Sequence, residues 1–302
     1  MRPTASPESD PATIVQRLAV LLAAGVPPAA AWGYLRQGEL ASAIAASAVS
    51  RPVPEAIVGS LTGASAATSE TWRGVATAWA VATDAGAPLA PTLRHVAGSF
   101  RDLAEARRQV AIALAAPVAT ARLVMALPAV GVAFGLALGF DTIGTLVRTP
   151  PGWICLGVGI ALLFAGWRWN RRLVAAARPR EMTPGLEFDL MAIAVSGGGS
   201  LAGAMESVAA AIARYSPGLA IDQSAIDDVL DLSVRAGVPA AELLRSEALE
   251  RRRSARAFAQ VGAQRLGVRL MIPLGVCVLP AFMVLGVVPL LISVLSSTAL
   301  GL

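Results

Sequence analysis

No lysine occurs among the 302 residues, and every basic side chain is an arginine. That excludes a phosphate loop that ends on lysine, and it excludes Schiff-base chemistry. Histidine occurs once, as His95. A lone imidazole lacks the partners that a general base or a metal ligand needs, so His95 reads as a helix-surface residue. The two cysteines, Cys155 and Cys277, both lie in apolar runs, which leaves neither a metal cluster nor a disulfide framework. Charge is scarce as well. Only 15% of the residues are charged, against about 25% in a soluble globular chain. The scarcity is uneven, for Leu270 to Leu302 carries no charge at all. The expectation is a membrane protein that is not an enzyme and holds no cofactor.

What is present is long apolar sequence. A span needs about 17–25 mostly apolar residues. Leu270 to Leu295 meets that length, and its Pro273, Pro280 and Pro289 predict kinks. Leu123 to Phe140 is a second candidate, with Arg122 at its edge positioned to snorkel. Trp153 to Trp167 is a third. It is short for a span, but Trp153, Trp167 and Trp169 bracket it as interfacial anchors. Arginines flank these runs on one side only. Arg101, Arg107 and Arg108 precede the first, Arg168 to Arg180 follow the second, and Arg251 to Arg269 precede the third, while the 141–152 loop holds only Arg148. The positive-inside rule then puts the N-terminus in the cytoplasm and the C-terminus outside. It also accounts for the net charge of +5 by anionic headgroups, without nucleic acid. Arg17 to Ala31 mimics a signal peptide, but Glu8 and Asp10 ahead of it do not suit one.

The remaining sequence is helical in composition, and the predicted class is all-α. Ile14, Leu18, Leu21 and Leu22 recur at helix spacing and then meet Ala24-Gly25-Val26-Pro27. Gly25 ends one helix and Pro27 opens the next. The same turn recurs with Gly86 and Pro88, and again with Gly237 and Pro239. A degenerate form at Ser196-Gly197-Gly198-Gly199-Ser200 has glycine for the turn and Ser200 as a helix cap. Breaks are expected at 51–54, at 61–69 and at Ser216-Pro217-Gly218. Trp72 and Trp79, seven apart, read as core. The chain thus reads as two helical modules, each holding two turns. The expected layout is a disordered start (1–11), a first cytoplasmic module (12–115), a span (116–140), an outer loop (141–152), a span (153–169), a second module (170–266), a span (267–296) and an outer tail (297–302). Glu242, Glu247 and Glu250 alternate with Arg245 and Arg251 to Arg253. A solvated helix face explains that pattern first, and a docking surface second.

The order of module, span pair, module and span resembles the F-domain family of type II secretion and type IV pilus platform proteins. The resemblance is carried by Leu21 to Pro27 and Leu232 to Pro239. Ala116 to Arg122, Leu138 to Asp141 and Ile272 to Phe282 look like its tight-adherence branch (Tad/Flp pilus, TadB/TadC-like) in actinobacteria. The resemblance implies an inner-membrane platform that oligomerises, alone or with a paralogous platform protein, and meets a secretion ATPase to help lift pilin subunits from the bilayer. It implies partner contacts at Asp84, Glu242, Arg251, Arg252, Arg253 and Arg256, and structural roles for the three Gly-Pro turns. The alternative is a permease subunit, although transport sites are usually marked by ionisable residues inside spans.

Overall fold

The computed structural model describes residues 10–35, 38–137, 142–176, 183–289 and 291–292. Met1 to Glu8, Asp141 and the tail from Ser293, on which some expectations fell, lie outside the described residues. Regular structure among those described is helical throughout. It comprises α1 Pro11–Ala23, α2 Pro28–Tyr34, α3 Glu39–Ser47, α4 Val53–Gly59, α5 Ala66–Asp84, α6 Leu89–Ala137, α7 Thr142–Arg148, α8 Pro150–Ala176, α9 Leu186–Ser196, α10 Leu201–Tyr215, α11 Gln223–Ala236 and α12 Ala240–Arg269, followed by further helical turns to Val287.

The helix ends follow from local chemistry. Asp10 caps α1 by accepting from the Ala12 N–H, Ser65 caps α5 through Thr68, and Ser200 caps α10 through Gly203, as the sequence predicts for Ser200. The Ser65 cap starts α5 at Ala66, earlier than the break expected over 61–69. At the end of α5 the Gly86 N–H bonds the Thr83 carbonyl and the Ala87 N–H bonds the Ala82 carbonyl. This double closure needs a left-handed residue at Gly86, where φ is +70°. Gly25 and Gly237 occupy the same position in their turns, at φ +86° and +67°. At the third turn Ser233 adds a bond, its hydroxyl donating to the Val238 carbonyl at 2.6 Å.

Two compact units result, one from residues 1–107 with 180–256 and the other from 108–179 with 257–302. In the first, residues from both halves of the sequence share one apolar cluster. Helix α9 is the reason: Leu186, Phe188 and the run Leu190 to Ala194 are all buried, and it packs against both α5 and α10. A helix that is apolar all round must be covered all round. Trp72 lies in the same cluster, its ring centroid 6.0 Å from that of Trp32, and Trp79 is buried with it.

Three helices are long and apolar enough to cross a membrane: Leu89–Ala137, Pro150–Ala175 and Ala240–Val287. The chain is thus a multi-pass membrane protein. The middle one is longer than its apolar run because Pro150, at a tolerated first-turn position, starts the helix early and Arg168 to Arg172 extend it. The 141–152 stretch, expected as a loop, contains α7. π-Helical turns over Leu274–Val278 and Met283–Val287 lie between the successive prolines of the third helix, Pro273, Pro280 and Pro289, a form in which an interrupted hydrogen-bond ladder is re-satisfied.

Small residues set the packing within the second unit. A Cβ at Gly159 would lie 2.3 Å from Leu285 Cγ, one at Gly166 would lie 3.1 Å from Cys277 Cβ, and one at Gly131 would lie 2.7 Å from the Phe282 ring. Gly159 and Gly166 are seven apart on α8 and therefore line one face. Gly159→Val should push α8 off Leu285 and cost about 1–3 kcal/mol. Thermal unfolding of the detergent-solubilised protein measures this, and a wild-type midpoint would show that the contact carries no weight.

Candidate functional site

The first unit concentrates its polar chemistry in two places. One is a contact between helix ends. At the end of α9, Gly197 has an ordinary φ of −75°, and Gly198 takes the left-handed turn at +83°. A Cβ on Gly197 would lie 1.8 Å from the Ala85 carbonyl oxygen. The backbones of the Gly86 turn and the Gly198 turn therefore touch, and only glycine permits it. Arg245, from the second turn of α12, donates to the Ser196 hydroxyl at 3.0 Å and brings positive charge to the negative end of α9.

Elsewhere in the unit lie further polar pairs. Arg214 meets Glu55 at 2.6 Å. Arg73 donates to the Tyr215 carbonyl at 3.2 Å, and the hydroxyls of Thr77 and Ser216 are 2.7 Å apart. The Tyr215 phenol is pushed up by burial, opposed by Arg214 and reinforced by Glu55 and Asp84. Asp84 and Glu242 are both exposed, as a partner contact requires.

The other place is Asp189, on the first turn of α9 and 1% exposed. Its Oδ1 is 2.8 Å from His95 Nε2, and its Oδ2 accepts from Arg252 Nη1 at 2.7 Å and from the Ser99 hydroxyl at 3.2 Å. His95 and Ser99 are one turn apart on α6, so the carboxylate joins α6, α9 and α12. The sole histidine is thus no free surface residue, because one of its nitrogens faces a buried carboxylate.

Residues 14–137 match the family model of type II secretion system (T2SS), protein F. That stretch runs from the first turn of α1 to the end of α6. Comparison with curated proteins and with solved structures returns no match. Over the protein F region lie the Gly25 and Gly86 turns, Asp84 and the α6 side of the buried pairing, His95 and Ser99. Asp189 and Arg252 lie beyond it.

Three residues read from the sequence as partner contacts are engaged within their own unit. Arg252 is buried against Asp189 and offers nothing to a partner; its correction follows from the cost of leaving a buried carboxylate unpaired. Arg251 is half-buried, reaching Glu247 and Asp222 at 3.2 Å each and lying over the Phe188 ring at 5.2 Å. The Asp222 carboxyl is held below its usual range by hydrogen bonds from Ser224, the Ala225 N–H and Arg251. Arg256 meets Asp102 of α6 at 3.3 Å. Arg253 alone of this group is exposed. Most of the arginine row therefore ties α12 to its own unit. Sequence reasoning missed Asp189 as the anchor, although an aspartate inside the run Leu186 to Val195 is a signal, since a buried acid needs a cation.

Proposed function

We propose that the chain is an inner-membrane platform protein of a type II secretion or Tad/Flp-type pilus assembly machine. The observation that carries this reading is the protein F match over residues 14–137, on a chain with three helices able to span a bilayer. In this reading a secretion ATPase binds the helical unit on the cytoplasmic side, pilin subunits meet the spans, and a paralogous platform protein completes the assembly. The helical modules of both halves are cytoplasmic, and the C-terminus is external. No bond is made or broken by the platform. Free energy enters from the ATPase as differential contact with two arrangements of the helical unit.

Two features support that division of labour. Helices α6 and α12 each run without interruption from the helical unit into an apolar span. Asp84, Glu242 and Arg253 are exposed and available. The Gly86 and Gly237 turns stand at the starts of these same two helices, where a contact would act on them directly.

The test is co-purification of the solubilised full-length protein with a candidate secretion ATPase. Glu242→Arg with Arg253→Glu should reduce recovery of the ATPase at least tenfold while leaving membrane insertion unchanged. Filament assembly that persists in a strain lacking this chain would sink the proposal.

A further inference from the structure

Between 142 and 180 the sequence holds six arginines and no acid. The arginines beside the other two spans have acids among or before them: Asp102 and Glu105 lie between Arg101 and Arg107, and Glu247 and Glu250 precede Arg251. On α8 the charge is left open. Arg168, Arg171 and Arg172 are all exposed, and none of them meets a carboxylate among the described residues. Orienting a span needs only basic residues near its end. It does not need three cations gathered on one patch.

Helix geometry does gather them. Arg172 and Arg171 each lie one turn beyond Arg168, so the three side chains share an arc about 100° wide. Arg171 is held in place. Its guanidinium lies 5.3 Å from the centroid of the Trp167 ring, and that ring leans on Phe164 with centroids 5.8 Å apart. The arc is opposite the Gly159 and Gly166 face that packs on the C-terminal helix. Earlier on α8 the same side is apolar and exposed. Phe164, Arg168 and Arg172 follow at intervals of four and form one ridge, and Gly157, Ala161 and Ala165 form the next. The second ridge is low because its members are small, and nothing lies within 4 Å of where a Gly157 Cβ would sit. Val158 and Phe164, three residues to either side of Ala161, wall this strip, and both are exposed.

We propose that this arc of α8 is a discrete site for one anionic phospholipid. Arg168 and Arg172 bind the phosphate, Arg171 and the exposed Trp169 border the headgroup, and one acyl chain lies along Gly157, Ala161 and Ala165. Guanidinium forks match phosphate oxygens, and an indole suits headgroup depth. A free phosphate would answer the charge but leave the apolar strip uncovered. A zwitterionic lipid would bring its own cation against the arginines. An acidic peptide would have to carry carboxylates to the edge of the hydrocarbon, which is costly. The site sits at the end of α8 on whichever side of the bilayer that end lies. The inference does not depend on the ATPase reading, and failed recovery of an ATPase would leave it untouched.

The test titrates full-length protein in a non-ionic detergent with phosphatidylglycerol or phosphatidylcholine and counts bound lipids by native mass spectrometry. The first phosphatidylglycerol should bind at least tenfold tighter than the second, and at least tenfold tighter than phosphatidylcholine. Arg168→Gln with Arg171→Gln and Arg172→Gln should abolish both differences. Arg122→Gln with Arg148→Gln and Arg265→Gln removes the same charge from three other helices and should change the first affinity less than twofold. All six side chains are exposed, so neither triple variant disturbs a core. Ala161→Leu fills the strip without touching charge and should weaken the first lipid at least threefold. Equal losses in the two triple variants would show diffuse attraction and overturn the proposal. So would an unchanged affinity in Ala161→Leu, or glycerol 3-phosphate competing as well as the lipid itself, since either would mean that the phosphate alone is recognised.

Discussion

Gly197→Ala is expected to damage the helical unit far more than Gly198→Ala, although the second residue, not the first, has the unusual backbone. Gly198 sits at φ +83° with nothing within 4 Å of a Cβ. Alanine there suffers only the left-handed strain, about 1–2 kcal/mol. Gly197 has a φ any residue adopts, but its Cβ would lie 1.8 Å from the Ala85 oxygen, 2.7 Å from the Ala85 carbonyl carbon and 2.9 Å from its Cβ. Neither partner is a flexible side chain that can swing aside. The ends of α5 and α9 must separate, which releases packing around a helix buried on all faces. Overpacking that moves backbone costs about 3 kcal/mol or more at its upper end. At about 2–4 °C per kcal/mol for a unit of this size, thermal unfolding should fall by roughly 6–12 °C for Gly197→Ala and by about half that or less for Gly198→Ala. Equal shifts for the two variants, or a wild-type midpoint for Gly197→Ala, would falsify the contact.

The contrast shows which parts of the structure are legible in sequence. A turn is a local event. Ala85-Gly86-Ala87-Pro88 specifies a left-handed glycine and a proline-opened helix within four residues, and the hydrogen bonds appear where that spacing puts them. Apolar length is also local, so the three candidate spans could be read, whereas the start of α8 could not, because Pro150 and Pro151 look like loop. What is not local is the choice of covering surface. The repeated turns show duplication, but nothing within either half says that α9 will be enclosed by elements of both. The same holds for charge. Arg251 to Arg253 read as a solvated run, and the helix period alone points one of the three inward; which acid it meets is set 63 residues away.

That acid supplies the other large effect. Asp189 is almost fully buried, and both its oxygens are used by groups on two other helices. Asp189→Ala leaves the Arg252 guanidinium, 8% exposed, without a counter-ion, and removing one partner of a buried pair costs about 3–5 kcal/mol. Arg252→Ala should cost somewhat less, because His95 and Ser99 still meet the carboxylate. Removing both charges together should be milder than either single change: Asp189→Leu with Arg252→Met replaces the pair by apolar groups of similar volume, which is often near neutral. Unfolding of the wild type, Asp189→Leu, Arg252→Met and the double variant forms a double-mutant cycle, and a coupling of about 2 kcal/mol or more is expected. Additive losses would show that Asp189 and Arg252 act separately. The double variant also separates two roles of the pair. It restores packing between α6, α9 and α12 without a directional bond, and α6 and α12 are the helices that continue into apolar spans. If the pair serves only stability, filament assembly should return with the fold. If it fixes the register of α6 on α12, as the charge-assisted geometry at 2.7 Å and the proposed transmission of force both require, the double variant should fold and insert while assembly falls at least tenfold.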